Sequence, residues 1–505
     1  MKKYIFFITL LLCVLAVFTV NATEYIVELD RDISMTGIDN AESFGVVSAP
    51  DRYVYTTEDI DTINLLEQKG MVVYYEEDIP LVFDEGIIAT PSNDISVVSD
   101  VYTPVSQNKN VSLMFNVSLQ EYIDPNTLSY AVFTNNLVAR RIPKGTHKVR
   151  VGIIDSGICK TDENGNLRSD FSNVVDGKSF VDEEPFTDEI NHGTPCAGLI
   201  GSQYLGISPD CEMISLKAFN NKSGSLTDVA NAIYAGVDYY GCKVLNISAG
   251  AEGFTEEFEN AVNYALDKNV IVVAAVGNEA TTSNAVMYPA NFPGVIGVGS
   301  VNENGAHSSF SRINSTVDAC AIGEDVLVPV SRDKYSFNYG YMSGTSFSAP
   351  QIAGLAALLC SYDYDMTPDE FYEVLEAICF DPGDCGYDTT FGHGIMDVKE
   401  AYDFVINQPL YYISRMFRNG DCLNYKIYNN TAETKAVCII TANYDYLGRV
   451  MNYASGRKFA RTKTALSLSK EITCDFSQGE YFRLMLWKTF DSMHPLCTGR
   501  SYFSD

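Results

Sequence analysis

The chain has 505 residues, with 35 Lys and Arg against 65 Asp and Glu, a formal charge of −30. Apolar residues make up 46%, which excludes a wholly disordered chain, and the length predicts roughly two to four domains. The acidic balance argues against a nucleic-acid or anionic-membrane partner, since phosphates are recognised by clusters of Lys and Arg.

Residues 1–22 read as a signal peptide. Met1-Lys2-Lys3 is basic, Tyr4 to Val20 is apolar and uncharged, and Val20 and Ala22 stand at the −3 and −1 positions of a cleavage site. A retained anchor is the alternative, because the apolar run nearly spans a bilayer. The expected location is outside the cell. Residues 23–90 read as a small α/β module. Tyr25 to Leu29 is a strand, Ile60, Ile63 and Leu66 mark a helix ended by Gly70, and Met71 to Tyr75 and Leu81 to Phe83 are extended. Residues 91–147 form a linker and an N-terminal arm.

From Val149 apolar strand-like runs alternate with amphipathic helices. The strands are Val149 to Ile154, Met213 to Ala218, Val244 to Ser248, Val270 to Val276 and Val295 to Val298, with Leu226 to Tyr240 and Phe254 to Lys268 as helices. This alternation predicts an α/β domain over 148–404 with a mostly parallel sheet covered by helices on both faces. Thr367-Pro368-Asp369-Glu370 is a helix start, with Thr as cap, Pro in the first turn and Glu reaching back. Residues 405–505 lose the helical pattern and read as a small all-β sandwich. Of 13 cysteines, none shows Cys-x-x-Cys spacing. Cys196, Cys242 and Cys360 sit in apolar runs as core residues, and Cys379 and Cys385 flank a turn across which a bridge could form.

Only five histidines are present, which narrows the search for a general base near neutral pH. His192 opens the small-residue run His-Gly-Thr-Pro-Cys-Ala-Gly198. Asp155 ends the buried strand Val151-Gly-Ile-Ile-Asp155, where parallel sheets gather functional groups. Ser346, in Ser343-Gly-Thr-Ser-Phe-Ser-Ala-Pro350, stands at the amino end of an apolar helix, whose free N–H groups and dipole suit an oxyanion. Taken singly, these are also a structural histidine, a turn aspartate and a helix cap. Together they supply nucleophile, base and orienting acid.

In these blocks the stretch from about Lys148 to Ala401 resembles the catalytic domain of the subtilisin-like serine proteases, the subtilases. Four motifs carry the resemblance: Ile154-Asp-Ser-Gly157, His192-Gly-Thr-Pro-Cys-Ala-Gly198, Ala274-Ala-Val-Gly-Asn278 and Gly344-Thr-Ser-Phe-Ser-Ala-Pro350. The chain order Asp, His, Ser is that of subtilisin. The resemblance implies a three-layer α/β fold and a secreted endopeptidase using Asp155, His192 and Ser346 through an acyl-enzyme, with the Asn278 amide as an oxyanion donor. It implies that Ser248, Ala249 and Gly250 bind an extended substrate strand and that Ala275 and Gly277 form the opposite wall of the P1 pocket. Glu279 would stand at the pocket mouth and favour Lys or Arg, and Met287 would fill the pocket base. Module 23–90 resembles the family's propeptide, which templates folding and inhibits the cleft until removal.

No cofactor is implied. The loop insertion of the family's tight calcium site is missing after Gly198, and the carboxylates at Asp182 to Glu184 and Asp188-Glu189 suggest at most a weak calcium. Expected partners are protein or peptide substrates and the chain's own propeptide, with no nucleic acid and no membrane after signal removal. The C-terminal module suggests attachment at a cell surface. The rival readings are a catalytically silent binding protein on the same fold and a peptide ligase or transpeptidase using the same triad.

Overall fold

The computed structural model describes residues 25–29, 45–46, 52–58, 60–69, 71–77, 139–331 apart from 163, 222 and 223, 339–383 and 386–414. In the C-terminal part it describes 417–419, 422–432, 434–444, 450–460, 465–471, 481–487 and 500–503. The signal peptide, the strand read at 81–83, residues 91–138 of the linker and Cys385 lie outside the described residues. The chain divides into two compact units, one ending at Ile79 and the other beginning at Pro80.

The first unit holds β1 (Tyr25–Leu29), β2 (Gly45–Val46), β3 (Tyr53–Thr57), α1 (Ile60–Gln68) and β4 (Val72–Glu77). Its sheet runs β2-β3-β1-β4 with antiparallel pairs. Val27, Leu29 and Tyr55 pack on Ile63 and Leu66, the inward face that the helical spacing of α1 presents. Strand β3 is absent from the sequence reading.

The second unit is built on a seven-stranded parallel sheet. Its strands are β5 (Arg150–Asp155), β6 (Val174–Ser179), β7 (Glu212–Lys217), β8 (Val244–Ile247), β9 (Ile271–Ala275), β10 (Ile296–Val301) and β11 (Ala319–Ile322), in the order β11-β10-β9-β8-β5-β7-β6. Strands β8 and β9 are buried throughout, and β5 is buried from Val151 onward. Sheets covered on both faces produce such unbroken apolar runs. A short antiparallel pair, β12 (Val326–Pro329) and β13 (Tyr339–Met342), follows.

Helices α2 (Gly193–Gly201), α3 (Leu226–Tyr234), α4 (Glu256–Asp267), α5 (Thr345–Cys360), α6 (Pro368–Ile378) and α7 (Val398–Asn407) cover the sheet. Helix α5 is buried along its whole length and packs on β8 to β11 and on α2. Helix α6 begins with the reciprocal cap read from sequence: Thr367 Oγ1 accepts from Glu370 N, and Glu370 Oε2 accepts from Thr367 N. Among the described residues no helix is long and apolar enough to cross a membrane.

Two four-stranded antiparallel sheets follow α7. One holds β14 (Tyr411–Ile413), β15 (Phe417–Asn419), β16 (Cys422–Asn429) and β19 (Ala465–Glu471). The other holds β17 (Lys435–Tyr444), β18 (Val450–Ala460), β20 (Tyr481–Trp487) and β21 (Arg500–Phe503). Tyr411, Ile413, Tyr425 and Ile427 of the first share a core with Val437, Ile439, Phe482 and Leu484 of the second, so the module is a sandwich. It is docked, not tethered. Tyr412 and Tyr428 belong to the main core and meet Phe404 of α7 edge-on, and Tyr428 donates to Glu373 of α6 at 2.9 Å. Cys379 is a buried free thiol.

Candidate active site

Asp155 ends β5, in the middle of the sheet, and His192 immediately precedes α2. The two side chains are 0% and 2% exposed. His192 Nδ1 and Asp155 Oδ1 lie 2.7 Å apart, and Asp155 Oδ1 also accepts from Ser156 N at 2.7 Å. A carboxylate acceptor at Nδ1 fixes the tautomer with the proton there, which leaves Nε2 as the basic nitrogen. The His192 ring packs against Phe219 and Phe347, with centroids 6.2 and 5.8 Å away.

Ser346 is the second residue of α5, and its hydroxyl donates to Ser248 O at 3.1 Å. Four residues on, Pro350 has no N–H to offer the Ser346 carbonyl, so that carbonyl turns to side chains. Ser248 Oγ donates to it at 3.0 Å and Cys196 Sγ at 3.3 Å. The nucleophile candidate is thereby tied both to the end of β8 and to the first turn of α2. Cys196 is a further buried group of the site. Its sulfur, the Asp155 carboxylate and His192 have ligand atoms within 4.8 Å of one another. Burial above all, with the Asp155 charge, pushes the Cys196 thiol well above 9, so it faces the pair as a neutral group.

Asn278 lies just beyond β9. Its Oδ1 accepts from Thr345 N at 2.7 Å and Thr345 Oγ1 at 2.8 Å. Both contacts occupy the acceptor end, and Nδ2 lies 3.4 Å from where a side-chain carbon on Gly344 would stand. Asp188 is fully buried and accepts from Ser156 Oγ at 2.8 Å, Asn191 N at 2.9 Å, His192 N at 3.3 Å and Thr194 N at 2.8 Å. Burial raises its pKa, and the neighbouring Asp155 adds to that. The sequence reading takes Asp188 as a loop carboxylate that at most helps hold a weak calcium, not as a partner of the His192 turn.

Met287 stands between the two segments read as substrate walls. A side-chain carbon on Gly250 would lie 3.5 Å from Met287 Cε and 2.4 Å from Tyr288 O, and one on Gly277 would lie 3.1 Å from Met287 Cγ. Gly277 also has φ of 97°, a conformation costly for other residues. Ser248, Ala249 and Gly250 continue from β8, and Ala275 ends β9. Glu279 is ion-paired with Arg312, whose Nε donates to it at 2.6 Å. Of the carboxylates considered for calcium, Glu183 lies 2.7 Å from Lys217 Nζ, and Asp188 is taken up by the donors of Ser156 and of its own loop. These two do not fit a cation site.

Residues 146–394 match the model of the Subtilase family. The Thermophilic serine proteinase of Bacillus sp. (strain AK1) is 31% identical over 355 residues, 63% of this chain and 86% of its own length. Subtilisin DY of Bacillus licheniformis is 32% identical over 264 residues, 50% of this chain and 90% of its own length. Thermitase of Thermoactinomyces vulgaris is 35% identical over 222 residues, 42% and 75% respectively. The fold matches the solved Epidermin Leader Peptide Processing Serine Protease of Staphylococcus aureus with a TM-score of 0.54 at 21% identity, over 75% of this chain and 97% of that one. By the identity and coverage of these relatives, the chain belongs to the subtilase family and is a subtilisin-like serine peptidase.

Proposed function

We propose that the protein is an exported endopeptidase that cleaves peptide bonds through Asp155, His192 and Ser346. The observation that carries this reading is the buried 2.7 Å contact of His192 with Asp155 beside the helix start that bears Ser346. The Ser346 hydroxyl leaves the Ser248 carbonyl and passes its proton to His192 Nε2 as Oγ attacks the scissile carbonyl carbon. Asp155 stabilises the imidazolium. Asn278 Nδ2 and the Ser346 N–H hold the oxyanion until His192 protonates the departing amine. Water then attacks the acyl-enzyme by the same proton route in reverse, releasing the acid and restoring Ser346. No cofactor is needed for any of these steps.

The substrate would lie extended along Ser248 to Gly250, with its P1 side chain between that segment and Ala275 to Gly277, above Met287. Backbone pairing of this kind tolerates varied side chains. Module 23–90 is proposed as the propeptide, an inhibitor in cis until it is removed, with residues 1–22 as the export signal. The sandwich after α7 is proposed to serve at the cell surface.

The test is intact mass after fluorophosphonate treatment of the secreted protein, with Ser346→Ala alongside. One adduct on the wild type and none on the variant is expected, on a chain shortened from its N-terminus. A shortened, folded wild type that takes no adduct would sink the hydrolase reading in favour of silent binding. Ligated product with an added amine acceptor, exceeding hydrolysis, would turn the reading to a ligase.

A further inference from the structure

Arg312 lies between β10 and β11, outside every motif of the sequence reading, and its side chain is 3% exposed. Its guanidinium spans two segments. Nε donates to Glu279 Oε2 at 2.6 Å, Nη2 to Glu252 Oε1 at 2.8 Å and Nη1 to Ala285 O at 2.7 Å. Its backbone N–H donates to Gly277 O at 3.1 Å. Glu252 follows Gly250-Ala251 on one proposed wall of the P1 pocket, and Glu279 follows Gly277-Asn278 on the other. A side-chain carbon on Gly277 would stand 3.0 Å from Arg312 Nε and 3.1 Å from Met287 Cγ. Guanidinium and thioether therefore back the same stretch of wall. Glu279 Oε2 accepts in addition from Asn278 N at 3.2 Å, so the bridge reaches the backbone of the proposed oxyanion donor.

We infer that Arg312 is a specificity-determining and positioning residue of the P1 pocket, an inference that rests on the peptidase reading. It clamps the two walls and offsets Glu279. Two carboxylates and one guanidinium (−2 + 1) leave the mouth with one net negative charge instead of two. The guanidinium is a planar fork that is buried and bonded to three acceptors, so it is fixed and does not itself reach a substrate. Glu279, taken from sequence as a lone charge selecting Lys or Arg, is thus already answered, and a P1 cation gains little over a neutral side chain of the same length.

The test compares two chromogenic peptides identical from P4 to P2, with lysine or norleucine at P1, on active protein produced from the full chain. The readout is the ratio of their kcat/KM values. Wild type is expected within about threefold of parity. Arg312→Gln exposes both carboxylates and raises the ratio about tenfold in favour of lysine, and Arg312→Lys, which keeps the cation, brings it back toward wild type. An unchanged ratio in Arg312→Gln that still takes the fluorophosphonate overturns the inference and leaves the peptidase reading intact. If Arg312→Gln does not fold, the wild-type ratio decides. Parity supports the inference, and a tenfold preference for lysine overturns it. A wild type that takes neither fluorophosphonate nor substrate removes the peptidase reading and this inference together.

Discussion

Asp188 contributes no atom to the proposed reaction, yet it holds two of the groups that do. Through Ser156 it fixes the residue after Asp155, and through the N–H groups of Asn191, His192 and Thr194 it fixes the turn that presents His192. Ser156 Oγ in turn accepts from Gly193 N at 2.9 Å, closing the circuit between strand end and helix start. Asp188→Asn keeps the shape but loses an acceptor for Thr194 and a negative charge near the imidazole. The expected result is a drop of about 10–100-fold, in kcat more than in KM. The acidic limb of the kcat/KM profile also moves to lower pH, since less charge stabilises the imidazolium. A merely structural role would lower activity without moving that limb, and a pH series separates the two. Asp155, His192, Ser346 and Asn278 were legible as positions because each sits in a short motif. Arg312 and the Cys196 thiol were not, because their meaning lies in partners far along the chain, and Asp188 was not, because it is the folding of its own loop back around it that gives it Asn191, His192 and Thr194 as donors. Arg312 reaches Glu252 across 60 residues.

At the level of elements, α6 ends on a cation from the sandwich. Lys426 of β16 is 2% exposed, and its Nζ donates to Glu376 O at 3.2 Å and to His393 O. Carbonyls near a helix C-terminus have no intrahelical donor and are the place where a cation is favourable. Lys426→Met fills similar space without a donor and leaves those carbonyls unsatisfied. It should cost about 1–3 kcal/mol of stability, read as a lower denaturant midpoint. A midpoint unchanged from wild type would mean that the sandwich docks through its tyrosines alone. Which elements could be read in advance follows the same physics. β5, β7, β8 and β9 were visible because burial on both faces demands unbroken apolar runs. Strand β18 was not, because Ser455-Gly-Arg-Lys458 gives it no apolar alternation, and pairing with β17 alone makes it a strand. The same holds for β12 and β13, four residues each, which among the described residues pair with each other alone.

Across the whole molecule, two neighbouring groups of opposite sense contribute to stability against pH. Burial pushes Asp318 up to about 7, with the Gly297 N–H offsetting only part of it. Against 3.8 as its ordinary value, the folded state keeps a proton that the unfolded chain releases, so stability falls as pH rises from about 4 to 7. Burial, aided by the Lys426 charge, pushes His393 down to about 3. Against 6.5, the unfolded chain takes the proton first, so stability rises as pH climbs from about 3 to 6.5. His393 N donates to Asp318 O at 2.7 Å, and between about pH 4 and 6.5 the two slopes, each at most about 1.4 kcal/mol per pH unit, cancel. Asp318→Asn should uncover a rising slope and His393→Gln a falling one, by guanidinium midpoints at pH 4.5, 5.5 and 6.5. Parallel slopes in both variants would contradict this. The three-layer architecture was legible from the alternation of elements. The sharing of one core between the catalytic layers and the sandwich was not, because Tyr412 and Tyr428 look like ordinary strand residues.

That shared core also sets an order in time. A chain made from its N-terminus displays Asp155 and His192 while Ser346 is still unmade, and α5 appears before the tyrosines that complete the core beneath it. Until Tyr428 has emerged, the surfaces of α6 and α7 that it covers stay open to water and α6 lacks its terminal cation. The frame around Ser346 is therefore completed only by the last part of the chain, and a truncated product that stops after α7 carries Asp155, His192 and Ser346 on a scaffold that has not closed.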